Sequence, residues 1–260
     1  MPDTETDTTA AGLPPVTDPT IFARQDYDAY SAEDHDVWTI LYERRMTALA
    51  ETGSRVFLQG AEAIGLSAER VPELASVNAR LGPRTGWRSV PVRGFIPAHD
   101  FFVCLAERHF PTTVGVRPRA QLDYLPEPDI FHDVFGHVPL HADPVFAEFL
   151  QRFGAVAARA RSDAATERMA RLFWFTVEFG LVHEAGRVKV YGSGLISSHA
   201  DAANALGPDC DRRRFSLDGV MDQPFEIDRL QDVLFIVESF DELFEAVAEA
   251  EHRLAAGRLD

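Results

Sequence analysis

The sequence predicts a mainly helical α+β protein with a few short strands. Three observations carry that class. Helix starts are written in capping residues: Ser31 with Asp34 three positions on, Asp143 followed by Pro144, and Ser239 followed by Asp241 and Glu242. An eleven-residue run, 172–182, is apolar on all sides apart from Glu178 and reads as a central buried helix. Strand-like patterns are confined to two short segments, 187–191 and 233–237.

Taken in order, residues 1–20 are rich in Thr, Asp, Pro and Ala and are expected to be disordered, leaving 21–260 as a single domain. Ser31-Ala32-Glu33-Asp34 reads as a capping box with Asp in place of Glu, and Val37, Trp38, Leu41 and Met46 follow at helical spacing. Ser67 is expected to cap another short helix. Asp143-Pro144 opens a helix expected to run to about Arg161. Residues 187–191 alternate as a strand, Gly192-Ser193-Gly194 reads as a turn, and Ser198 with Asp201 starts another helix. Residues 233–237 form a short buried strand, and Ser239 opens a last helix that ends before Gly257. There is no internal repeat and no Gly-rich linker.

Composition narrows the functions. The chain of 260 residues has 25 basic against 41 acidic side chains, a net charge of −16. So acidic a protein is a poor partner for nucleic acid or an anionic membrane surface. Cys104 and Cys210 lie far apart and give neither a disulfide framework nor a zinc ribbon. Residues 1–20 lack a secretory pattern, and no apolar run has the length of a membrane span, so a cytoplasmic protein is expected.

The chemistry concentrates in two stretches. His132 and His137 lie five residues apart among turn formers and carboxylates, and Glu178 stands alone in its apolar run. A buried carboxylate is costly without compensation. Two neutral imidazoles with one carboxylate are the ligand set of non-haem iron(II) oxygenases. On an ideal helix five residues turn by roughly 140°, so one histidine is expected where a helix ends, with Gly136 and Pro139 supplying the irregularity. The alternatives are ordinary histidines and a Glu178 paired with an arginine. The zinc-protease pattern, histidines four apart flanking a Glu, is absent.

Pro-Glu-Pro-Asp-Ile-x-His-Asp-x-x-Gly-His-Val-Pro-Leu at 126–140 and Phe-Trp-Phe-Thr-Val-Glu-Phe-Gly-Leu at 173–181 resemble the pterin-dependent aromatic amino acid hydroxylases. So do Tyr-Gly-Ser-Gly-Leu-Ile-Ser-Ser at 191–198 and the opening Asp34, His35, Trp38, Leu41 and Tyr42. These blocks span most of 26–240 in the family's order, and the length resembles bacterial members that consist of the catalytic domain alone. The resemblance implies iron(II) held by His132, His137 and Glu178. It also implies a tetrahydropterin, either tetrahydrobiopterin or a related bacterial pterin, as electron donor. The implied reaction turns L-phenylalanine and O₂ into L-tyrosine, the first step of phenylalanine catabolism.

Further roles follow from the same resemblance. Arg117 grips the substrate carboxylate with two prongs and Asp129 orients it. Pro128, Trp174 and Phe179 cage the substrate ring, and Gly194 and Ser197 belong to the substrate block. Phe101 stacks on the pterin, Gly94, Ile96 and Ala98 offer backbone groups to its edge, and Asp133 lies close by. Without the resemblance, Trp174, Phe179 and Phe101 read as core, Arg117 and Asp129 as a surface pair, and Ser197 as a helix cap. Animal members carry Thr where this chain has Leu125, which removes a hydroxyl from the substrate side. Tryptophan hydroxylation is the alternative activity, opposed by Trp174, where tryptophan-specific relatives resemble the motif with Phe. Tyrosine hydroxylation is opposed by the apolar Ile227. A non-catalytic binding protein that kept the fold is the alternative of another class, opposed by the intact triad. The expected partners are small molecules, and no long apolar heptad follows the last helix, so a monomer is expected.

Overall fold

The computed structural model describes residues 16–123 and 127–259. Helix α1, Ala32–Thr52, starts as its sequence dictates. Asp34 N donates to Ser31 Oγ at 3.2 Å and Ser31 N to Asp34 Oδ2 at 2.8 Å, the two reciprocal bonds of a capping box. Its inner face buries Val37, Trp38, Leu41 and Leu49, together with one charged group, Arg45. Helix α2, Arg55–Ile64, follows behind the cap of Ser54. The helix expected behind Ser67 does not form, and α3 begins instead at Leu74 and runs to Thr85. The Ser67 carbonyl accepts the indole N–H of fully buried Trp38 at 2.9 Å, which removes it from any helical ladder.

Strands β1, Arg88–Val92, and β2, His109–Thr113, pair in parallel and are joined across α4, Ala98–Ala106. This βαβ unit was hidden in the sequence by Pro91 and Pro111, which argue locally against a strand. Residues 16–20 do not behave as the expected disordered segment. Thr17 bonds Asp100, and Pro19–Ile21 forms a 3₁₀ turn capped by Asp18. The rest of that segment, 1–15, lies outside the described residues, as does Leu125.

A π-helical turn, Phe131–His137, runs into a 3₁₀ turn, Val138–Ala142, and then α5, Pro144–Ala157. Phe146 N donates to the Asp143 cap at 2.9 Å as expected. Helix α5 stops short of Arg161. Arg159 N and Ala160 N bond back only three residues, and Ser162 caps a new helix, α6, Asp163–Phe173. Helix α6 passes into a second π-helical turn, Trp174–Glu178, and the chain breaks out of it at Phe179. The run 172–182 is therefore helical only up to Glu178, and its tail enters a strand. Just past the break the chain needs a glycine, since an added Cβ at Gly180 would lie 2.1 Å from the Tyr191 ring.

Strand β3, Leu181–Glu184, forms a hairpin with β4, Arg187–Val190. Where a turn was expected, Ser193–Ser197 forms a short helix, α7, and α8, His199–Leu206, follows with Ser198 accepting from Asp201 N at 3.2 Å. Strand β5, Asp211–Arg214, α9, Leu217–Asp222, β6, Val233–Val237, and α10, Phe240–Ala255, complete the order. The second sheet runs β4-β3-β6-β5, with β6 parallel to both neighbours. Ser239 precedes α10 but makes no side-chain cap bond; Glu242 instead accepts from Glu238 N at 3.1 Å. A single core of buried aromatics, including Phe131, Phe135, Phe146, Phe149 and Phe153, joins the helices. Helix α7 packs against the first π-helical turn and, with it, against the second.

Candidate active site

A π turn bonds residues five apart rather than four, as Phe179 N does to Trp174 O at 2.8 Å. That widening is the irregularity expected of the stretch: His137 is the last residue of its turn, so one histidine does sit at a helix end. Both His132 and His137 belong to the Phe131–His137 turn, and five residues bring their rings to one face. Their Nε2 atoms lie 3.3 Å apart. Glu178 meets them from the second π turn, with Oε1 3.0 Å from His137 Nε2 and Oε2 3.6 Å from His132 Nε2. One donor atom from each residue falls within a 4.8 Å cluster.

Two serines bear on the protonation of His132 and Glu178. Ser197 Oγ donates its one proton to Ser193 O at 2.8 Å, so at 2.9 Å from His132 Nδ1 it accepts. His132 thus carries its proton on Nδ1 and presents a lone pair at Nε2. Burial holds His132 down to about 4, which keeps the ring neutral. Burial also opposes ionisation of Glu178, but the two imidazoles and the Ser193 hydroxyl, 2.9 Å from Oε2, outweigh it and bring the carboxyl down to about 2. The lone-pair nitrogen of His132, Nε2 of His137 and the Glu178 carboxylate therefore converge on one point. The ion-pair partners of Glu178 among the described residues are these histidines and no arginine. A divalent cation fits this donor set, and its N and O character suits iron.

Beside the histidine turn, Arg117 donates from Nε and Nη2 to the two oxygens of Asp129 at 2.9 and 2.8 Å. Asp129 also accepts from His132 N at 3.0 Å, so one carboxylate ties the arginine to the histidine turn. The remaining Arg117 contact, Nη1 to Leu122 O at 3.4 Å, leaves further N–H donors for a ligand. Trp174 lies between Phe179, at 4.7 Å between centroids, and Phe225, at 4.4 Å. Phe225 carries no signal in the sequence, since it follows Pro224 in a loop without periodicity. Ser193 lies within the 191–198 motif, from which the resemblance implies no role for it.

On the opposite side, Phe101 packs edge-on against Phe110 and Phe173 at 6.0 and 5.3 Å. Gly94, Ile96 and Ala98 follow β1, and Gly94 has φ of +151°. Asp133 is buried and accepts from Thr113 N at 2.6 Å. A cavity of about 1510 Å³ is lined by every one of the predicted site residues except Asp129, which stands behind Arg117. Exposed Ile227 and Phe95 also line it.

This fold and site define a class. The family described as biopterin-dependent aromatic amino acid hydroxylase matches residues 25–255, and the chain belongs to that family. Among individual relatives, the phenylalanine-4-hydroxylase of Chromobacterium violaceum is 42% identical over 225 residues, 86% of this chain and 76% of the relative. That of Caulobacter vibrioides is 40% identical over 235 residues, 90% of this chain and 80% of the relative. A crystal structure of the Chromobacterium violaceum enzyme with bound iron(III) and 7,8-dihydrobiopterin superposes with a TM-score of 0.87 at 39% identity, covering 99% of this chain and 94% of that one.

Proposed function

We propose that the protein is a phenylalanine 4-monooxygenase, converting L-phenylalanine, O₂ and a tetrahydropterin to L-tyrosine at a single iron(II). The observation that carries this reading is the convergence of His132, His137 and Glu178 at the cavity between Arg117 and an aromatic wall. Bound iron(II) and reduced pterin together supply the electrons that activate O₂, which no side chain here can do. His132, His137 and Glu178 would hold the metal on one face and leave the opposite positions open. Ser197 and Ser193 keep His132 and Glu178 in their binding protonation states.

Arg117, held by Asp129, would grip the amino acid carboxylate. Trp174, Phe179 and Pro128 would hold the ring by apolar contact and exclude water from it. Gly194 adds no side chain beside Phe179 and keeps that wall open. Phe101 would stack on the pterin, with Gly94, Ile96, Ala98 and Asp133 along its edge. Support for phenylalanine over tryptophan comes from Trp174, whose indole already fills the wall between Phe179 and Phe225.

Residues 21–260 act as one catalytic unit, as a monomer in the cytoplasm. No described helix is long and apolar enough to cross a membrane. The test is anaerobic loading with iron(II), then phenylalanine, tetrahydrobiopterin and O₂, with product analysis. Tyrosine is expected, with one iron per chain. His132→Ala, His137→Ala and Glu178→Ala are each expected to abolish it. Full activity in a chelated sample, or in any of the three variants, would refute the assignment.

A further inference from the structure

The loop between β1 and α4 reaches the cavity anchored along its length by one buried side chain, Ile96, and is otherwise sparsely held. A Cβ at Gly94 would meet nothing within 4 Å, and Phe95 is 93% exposed. Beyond Ile96, the loop's position depends on its two ends. One arm, residues 17–23, holds both. At the β1 end Ala23 N donates to Pro91 O at 2.9 Å, Arg93 N to Ile21 O at 3.0 Å and Arg93 Nε to Thr20 O at 3.1 Å. At the α4 end stands Asp100, a fully buried carboxylate in the first turn of the helix. Thr17 supplies a donor to each of its oxygens, backbone N to Oδ1 at 2.8 Å and Oγ1 to Oδ2 at 2.7 Å.

We propose that residues 17–23 form a strap that positions the 94–98 loop for the edge of a reduced pterin, with Thr17 and Asp100 as its clasp; this rests on the pterin-dependent reading above. Both are positioning residues. Asp100 directly precedes Phe101 and lies two residues beyond Ala98, so any shift of its carboxylate moves both groups on the pterin side. A buried carboxylate that loses a donor has to be solvated again, and the route to water is a loosened first turn of α4. The metal ligands are carried by other elements and are not gripped by the strap.

The variants are Thr17→Val, which keeps the shape and loses the hydroxyl, and Thr17→Ser, which keeps the hydroxyl. Three readouts are needed: steady-state kinetics in both substrates, binding of 7,8-dihydrobiopterin followed by calorimetry, and amide hydrogen exchange without ligand. Thr17→Val should raise the KM for tetrahydropterin and the Kd for dihydrobiopterin about threefold to tenfold. Its kcat, iron content and KM for phenylalanine should stay within about twofold, and Thr17→Ser should match the parent. The Phe101 amide, bonded to Pro97 O at 3.0 Å, should exchange about tenfold faster in Thr17→Val, with the Leu150 amide in α5 unchanged.

Unchanged pterin constants with unchanged Phe101 exchange would overturn the proposal. So would equal acceleration at Phe101 and Leu150, which marks a general loosening, or an equal rise in both KM values. A parent protein that neither binds dihydrobiopterin nor forms tyrosine would defeat the assigned function instead, and the exchange experiment would still decide whether the strap holds the loop.

Discussion

Asp133 follows a proposed iron ligand, His132, in the chain, yet its own carboxylate is turned to the backbone of Thr113. Burial pushes it up to about 7, against the lowering effects of His137 and the Thr113 N–H. The folded pKa thus lies above the unfolded value of 3.8, so the folded protein keeps a proton that the unfolded chain releases. Its contribution to stability is complete below about pH 4 and is lost as the pH rises to about 7. Asn mimics the protonated carboxyl and can still accept from Thr113 N. Asp133→Asn should therefore stabilise the metal-free protein at pH 8 by about 2–4 kcal/mol and leave it unchanged at pH 4. Urea unfolding at the two pH values checks this, and equal stability at pH 8 contradicts it. Ser197 makes a related point. Its motif assigned it to the substrate block, whereas its hydroxyl is engaged by His132 and Ser193.

At the scale of elements, the site depends on two π turns and the short helix wedged against them. Gly136 marks the closest approach. A Cβ there would lie 2.9 Å from Ser193 O and 3.2 Å from Ser193 Cβ. Gly136→Ala should push Ser193, and with it the hydroxyl on Glu178, away from the histidine turn. The expected cost is about 1–3 kcal/mol of stability together with weaker iron binding. Thermal melting and an iron(II) titration measure the two effects, and parental values in both would show that the contact is dispensable. Elements with a local signature were legible. Ser31, Asp143 and Ser198 each cap a helix where the sequence placed the start, because the cap residue and its bond lie within one turn. The π turns were not legible, since hydrophobic periodicity is read at helical or strand spacing and neither contains a bond to the fifth residue. Ser67 failed as a cap because a distant tryptophan claimed its carbonyl.

Across the whole molecule, the cavity gathers side chains from Leu41 to Ile227, and no period in the sequence encodes that closure. The motifs at 126–140 and 173–181 located the triad because they are contiguous strings of unusual residue types, whereas Arg117 and the 94–98 loop followed only from the family resemblance. Phe225 is an ordinary aromatic in an ordinary loop, and only the folded chain reveals that it completes the wall behind Trp174. The same scale governs assembly. The large apolar side chains exposed among the described residues are Phe95, Val145, Ile227 and Leu230, and two of these belong to the cavity mouth. A surface with so few, on a chain of net charge −16, gives self-association little to bury. Light scattering at micromolar concentration should return a mass near 28.9 kDa, and a stable tetramer would overturn the monomer.

The wall around Trp174 also makes the protein its own optical gauge. The chain has three tryptophans. Trp38 and Trp87 are sealed in the core with their indole N–H groups bonded to Ser67 O and Ala147 O. Trp174 alone lines the cavity, and its Nε1 has no hydrogen-bond partner among the described residues. Two emitters are therefore indifferent to what enters the site and the third is in contact with it. Intrinsic fluorescence, with no label attached, should follow occupancy of the cavity beside Trp174 against a constant internal background.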